Sequence, residues 1–97
     1  MMRIFKYSLE IIDEQIIKVP FGAKILSVKN QKGTLCMWCL VDPQGEPQQM
    51  KIRIIGTGNT FDDHENCFYI DSVQQGPFVW HVFVDGTATH VRFSYKY

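Results

Sequence analysis

The run from Thr34 to Val41 is apolar on both of its sides, with Leu35, Met37, Cys39 and Val41 opposite Cys36, Trp38 and Leu40. An extended chain sends successive side chains to opposite faces, so such a run needs cover on both and belongs in the middle of a layered sheet. Phe78 to Val84 repeats the pattern. Period-two runs recur at Arg3 to Leu9, Gln15 to Val19, Ala23 to Lys29 and, more weakly, Cys67 to Val73. Met50, Ile52 and Ile54 alternate with Lys51 and Arg53, which predicts a half-buried strand with a wet face. Turn chemistry separates these runs at Pro20-Phe21-Gly22 and Asn30-Gln31-Lys32-Gly33. In Asp42-Pro43-Gln44-Gly45-Glu46-Pro47 two close prolines are expected to exclude regular structure. Glu10 to Glu14 is read as one helical turn. Asp85-Gly86 is the strongest hairpin signal and predicts a last strand from Thr87 to Tyr97. The expected fold is all-β, a small antiparallel sandwich or barrel of about seven to eight strands.

Ninety-seven residues, 45% of them hydrophobic, make a single domain over 1–97 with one core. A sheet protein this small is expected to complete its core or its site with a second copy, as a homo-oligomer. Ten basic and ten acidic residues cancel, which removes the broad field that duplex nucleic acid needs. No run is long enough to span a bilayer, no signal peptide is visible, and the three cysteines are an odd number. Reduced thiols in the cytoplasm are the expectation, with no membrane partner.

Chemistry concentrates where the strand at Arg53-Ile54-Ile55 runs into Gly56-Thr57-Gly58-Asn59-Thr60-Phe61-Asp62-Asp63-His64-Glu65. Glycines let backbone amides approach a ligand, and Thr57, Asn59 and Thr60 add short hydrogen-bonding groups. Gly56, Gly58 and their neighbours form at most a loose phosphate loop, since G-x-G without a following helix is a weak signal and an ordinary turn explains it too. Arg53 is a candidate to neutralise phosphate, and Trp38, Phe61 or Trp80 to stack on a base. Asp62, Asp63, His64 and Glu65 have the composition of a metal or acid–base cluster, although loops are commonly this polar for solubility. Cys36-Met37-Trp38-Cys39 with His64 and Cys67 supplies four zinc-type ligands. Residues three apart on a strand face opposite ways, however, so the two thiols read better as small core hydrophobes. His81 lies in an apolar strand, where a hydrogen-bonded histidine is the ordinary case. No catalytic residue, metal or cofactor is expected.

The segments Ile4-Phe5-Lys6-Tyr7-x-Leu9, Asp13-x-Gln15, Pro20-x-Gly22-Ala23-Lys24-Ile25-Leu26-Ser27-Val28, Trp38-x-Leu40-Val41-Asp42-Pro43 and Gly56-Thr57-Gly58 resemble a family of small phage-encoded proteins of unknown function. The likeness covers about the first sixty residues, with a weaker echo at His81-Val82-Phe83 where typical members end, so the strand after Asp85 departs from it. What the resemblance implies is a phage accessory protein in the host cytoplasm that acts stoichiometrically against a defence system. The leading expectation is a non-enzymatic, oligomeric sponge for a nucleotide immune signal. An inhibitor of a host defence protein, docking through Phe61, Phe68 and Tyr69, comes second, and a metal-dependent nucleotide-processing enzyme third.

Overall fold

The computed structural model describes residues 1–86. Seven strands occupy them: β1 (Arg3–Leu9), β2 (Glu14–Pro20), β3 (Lys24–Gln31), β4 (Thr34–Val41), β5 (Pro47–Gly56), β6 (Cys67–Gln75) and β7 (Phe78–Asp85). They form two antiparallel sheets, a three-stranded one ordered β1-β4-β3 and a four-stranded one ordered β2-β5-β7-β6. The all-β expectation therefore holds, as a sandwich. The expected strand at Thr87 to Tyr97 lies outside the described residues.

The patterning decides what lies between the sheets. Leu35, Met37, Cys39 and Val41 of β4 meet Met50, Ile52 and Ile54 of β5 and Val82 and Val84 of β7 in one buried cluster, with Phe5, Tyr7 and Trp80 packed at its margin. Both doubly apolar runs became inner strands of their sheets, β4 between β1 and β3, and β7 between β5 and β6. Burial pushes the Cys39 thiol up to about 12, so it remains a neutral hydrophobe in the core.

Three expectations are corrected. Glu10 to Asp13 is a bend, not a helical turn. Gln15 satisfies its backbone from outside: Gln15 Nε2 donates to the Glu10 carbonyl at 2.8 Å, and the Glu10 amide donates back to Gln15 Oε1 at 3.0 Å. Pro47 starts β5 opposite Pro20 at the end of the ladder, where the missing N–H costs no internal bond. Arg53 does not face water and is only 4% exposed.

The hairpin turns follow their residues. Lys32 (φ 53°) and Gly33 (φ 89°) are both left-handed between the paired Gln31 and Thr34, as a type I′ turn requires. Gly76 (φ 58°) followed by Pro77 joins the paired Gln75 and Phe78, the type II′ pattern. Along one margin the sheets are tied by side chains. Asp71 Oδ2, beside a bulge in β6, accepts the Val28 amide of β3 at 3.2 Å. Gln75 Nε2 donates to the Gly33 carbonyl at 2.9 Å, while Gln75 Oε1 accepts the Trp80 indole N–H at 3.1 Å.

Two substitutions test this account. Asp71→Ala strands the amide of the buried Val28 and is expected to cost about 1–3 kcal/mol in urea unfolding. Lys32→Asn places a residue that tolerates positive φ in the turn and is expected to stabilise by up to about 1 kcal/mol.

Candidate functional site

Arg53 organises the outer face of the four-stranded sheet. Its Nη1 donates to Asp63 Oδ2 at 2.7 Å, its Nη2 to Asp13 Oδ2 at 3.3 Å and its Nε to the Asp13 carbonyl at 3.0 Å. The guanidinium carbon lies 5.2 Å from the centre of the Phe61 ring, and that ring packs on Phe83 at 4.8 Å. Arg53 thus holds the segment 57–66 back against its own sheet. Each of its three nitrogens has an acceptor within the fold and the residue is 4% exposed, which removes it from the phosphate-neutralising role the sequence offers it.

The returning segment forms one wall of a cleft of about 270 Å³, lined by Gly56, Thr57, Asn59, Pro77, Phe78, Val79 and Trp80. Gly56 sits at a close approach: a Cβ there would lie 3.0 Å from both Trp80 Cζ3 and Asn59 Nδ2, so a larger residue must push one of them aside. Gly58 carries φ 91°, and the Asn59 amide closes the turn onto the Gly56 carbonyl at 3.0 Å. The opposite wall is an aromatic pair, Phe78 stacked on Trp80 with ring centres 5.4 Å apart and planes inclined by 23°. The indole is fixed by Gln75, whereas Phe78 is 57% exposed. The cleft therefore offers a flat, pre-oriented aromatic surface beside a carboxamide and a hydroxyl.

Behind Thr57 runs a chain of side-chain hydrogen bonds. Thr57 Oγ1 meets His81 Nε2 at 2.7 Å, His81 Nδ1 meets Ser72 Oγ at 3.0 Å, and Ser72 Oγ meets the Tyr69 hydroxyl at 3.0 Å. A ring with a partner on each nitrogen is held in one plane, so the chain fixes the Thr57 side chain at the cleft mouth.

Of the residues singled out in the sequence, Gly56, Thr57, Asn59 and Trp80 are brought together in this cleft. Gly58 and Thr60 are exposed on the same loop but do not line it, and Phe61 is spent on Arg53 and Phe83. Trp38 cannot join them. Its neighbours Met37 and Cys39 point into the core, so Trp38 stands on the outer face of the other sheet. The same alternation sends Cys36 and Cys39 to opposite faces of β4, as strand geometry requires. Among the described residues no three His, Cys, Asp or Glu side chains converge as a metal site, and Asp63 serves Arg53. Phe78 and Val79 were missed because they read as strand residues; only their position after the Gly76-Pro77 turn marks them as the end of a layer.

The Arg53 contact holds the exposed Asp63 carboxyl below its ordinary value of 3.8, chiefly through the hydrogen bond. A depressed carboxylate contributes stability that is complete above its ordinary pKa and is lost as the pH falls through the folded-state value. Thermal unfolding of Asp63→Asn is therefore expected to fall less than that of the native protein between pH 7 and strongly acid solution. Arg53→Met is expected to destabilise at neutral pH by about 2 kcal/mol through its lost charged hydrogen bonds.

No curated protein and no solved structure matches the chain at a significant level. One family does, over residues 1–91, so the match extends well past the first sixty positions and past Asp85. The chain belongs to the DUF7352 family, a domain of unknown function.

Proposed function

We propose that the cleft between the Gly56-to-Asn59 turn and the Phe78–Trp80 pair binds a nucleotide-type ligand, and that the protein acts by withholding an immune signalling nucleotide from a host anti-phage defence. The observation that carries the reading is the aromatic pair. Trp80 is locked by Gln75, and Phe78 presents an open ring that a base extends as the next layer of the stack. Asn59 supplies both a donor and an acceptor for a base edge, and Thr57 a hydroxyl. None of the lining residues is charged. That composition suits a ligand gripped by its base, with its phosphates toward solvent, and it offers binding groups in place of a general acid or base. The defence context comes from the resemblance to small phage-encoded proteins.

A protein-directed inhibitor is the second reading, and one cluster favours it. Phe83 touches Phe61 in a tilted contact and Tyr69 edge to face, at 4.8 Å and 5.8 Å between ring centres, and Tyr69 is 49% exposed. Phe68 does not extend that patch, because it is the next residue along β6 and packs where a Gly86 Cβ would fall.

Native mass spectrometry of protein from cells with an active nucleotide-signalling defence tests the proposal, followed by mass analysis of what denaturation releases. Sequestration requires a phosphate-containing molecule in fixed ratio to subunits, released unchanged. Phe78→Ala is expected to weaken its binding at least roughly fivefold while the fold is kept. Ligand-free protein from cells that contain the signal, or release of an altered product, would sink the proposal.

A further inference from the structure

The outer face of the three-stranded sheet carries chemistry that the cleft does not use. Register places its side chains in three rows across β1, β4 and β3: Ile4, Leu40 and Lys24; Lys6, Trp38 and Ser27; Ser8, Cys36 and Lys29. Trp38 is half-buried in the middle row, with lysines on both flanking strands. No carboxylate stands in these rows. Lys6 Nζ donates to the neutral Gln31 Oε1 at 2.9 Å, and the hydrogen bonds and ion pairs among the described residues give Lys24 and Lys29 no carboxylate.

The opposite face of the molecule is arranged the other way. There Arg53 is held by Asp13 and Asp63, and Lys51 lies 3.3 Å from Glu14 and 3.8 Å from Asp85. The two described faces are thus unlike: on one, four carboxylates lie on Arg53 and Lys51, with Lys18 further along β2, and on the other no carboxylate stands among three lysines.

We propose that the outer face of the β1-β4-β3 sheet binds single-stranded nucleic acid, with Trp38 as the stacking platform and Lys6, Lys24 and Lys29 as phosphate contacts. The lysines call for a polyanion, and the indole among them selects one with planar groups between its charges. A duplex hides its base faces in its own stack, and this sheet face offers no protruding helix or ribbon to enter a groove. An acidic protein surface satisfies the lysines but gives Trp38 no specific task.

Fluorescence anisotropy of a labelled oligothymidylate of about 12 nucleotides, titrated with the full chain at about 50 mM salt, tests this. The expected result is saturable binding that weakens with salt at a log–log slope of about −2, from three phosphate contacts on a single strand. Lys24→Glu with Lys29→Glu, both at solvent-accessible positions, is expected to reduce affinity at least tenfold with an unchanged far-ultraviolet spectrum. Trp38→Ala is expected to lose at least roughly fivefold, and Trp38→Phe to recover most of it. Absence of binding at low salt, equal affinity for a duplex of the same length, or insensitivity to the lysine pair would each overturn the proposal. Equally tight binding of polyglutamate that ignores Trp38 would also overturn it and assign the face to an acidic protein.

Discussion

A guanidinium cannot shed its charge when it is taken out of water, and Arg53 is almost wholly out of water. The surrounding structure is therefore obliged to supply acceptors for each of its nitrogens. They come from two places far apart in the chain, the bend after β1 through Asp13 and the loop after β5 through Asp63, with Phe61 covering the flat of the group. The bend has no regular structure of its own, and the loop has only a single 3-10 turn, His64–Asn66, directly after Asp63. The Asp13 carbonyl also accepts the Ile54 amide at 3.3 Å, so one backbone oxygen ties the bend to two successive residues of β5. Because the loop is pinned at Asp63 and Phe61, the Gly56-to-Asn59 turn at its start has a defined path beside Trp80. The cleft thus depends on a cation that never touches it.

The cleft itself forms where the sandwich runs out of core. Val73 and Val82 are buried beside Trp80, and two residue pairs further, at Gln75 and Phe78, the layer ends. A large ring at such an end is only partly covered by the opposite sheet. Gln75 compensates by bonding the indole to the turn of the three-stranded sheet, an amide with both ends used and therefore a single orientation. Phe78 has no such anchor and is held by stacking alone. A rigid ring next to an open one is an arrangement to which a further flat molecule can add with little rearrangement.

Period-two patterning made the strands legible because burial on one face of a sheet reads out directly as alternation. Arg3 to Leu9 and Thr34 to Val41 match their strands to the residue, and the other runs differ from theirs by one to three positions at an end. The site was harder to read for a specific reason. Arg53 sits at an outward position of an alternating strand, and outward ordinarily means wet; it is dry because a loop ten residues later in sequence folds over it. Trp38 and Trp80 are both strand residues, and only the packing of the two sheets reveals that Trp38 faces outward from one while Trp80 lies at the margin of the core between them. Local sequence carries parity and turn chemistry, whereas the folding-back of a loop and the partition of strands between sheets are long-range events. Residues whose role depends on those events are the ones the sequence misassigns.

The same limitation applies to charge. A count of ten against ten argues against a field that attracts polyanions, and as a statement about the whole molecule it is sound. Screening shortens the reach of each charge to about 8–10 Å, comparable to the separation of two packed sheets, so opposite faces act on a ligand almost independently. What matters is then pairing within a face. On the four-stranded sheet the carboxylates of Asp13, Glu14, Asp63 and Asp85 lie on Arg53 and Lys51, so even with Lys18 further along β2 that face has no excess of cations. On the three-stranded sheet the positions that would answer Lys6, Lys24 and Lys29 are taken by Ile4, Ser8, Ser27, Cys36, Trp38 and Leu40. Charge balance over the chain and charge imbalance over one face are compatible, and a ligand responds to the face.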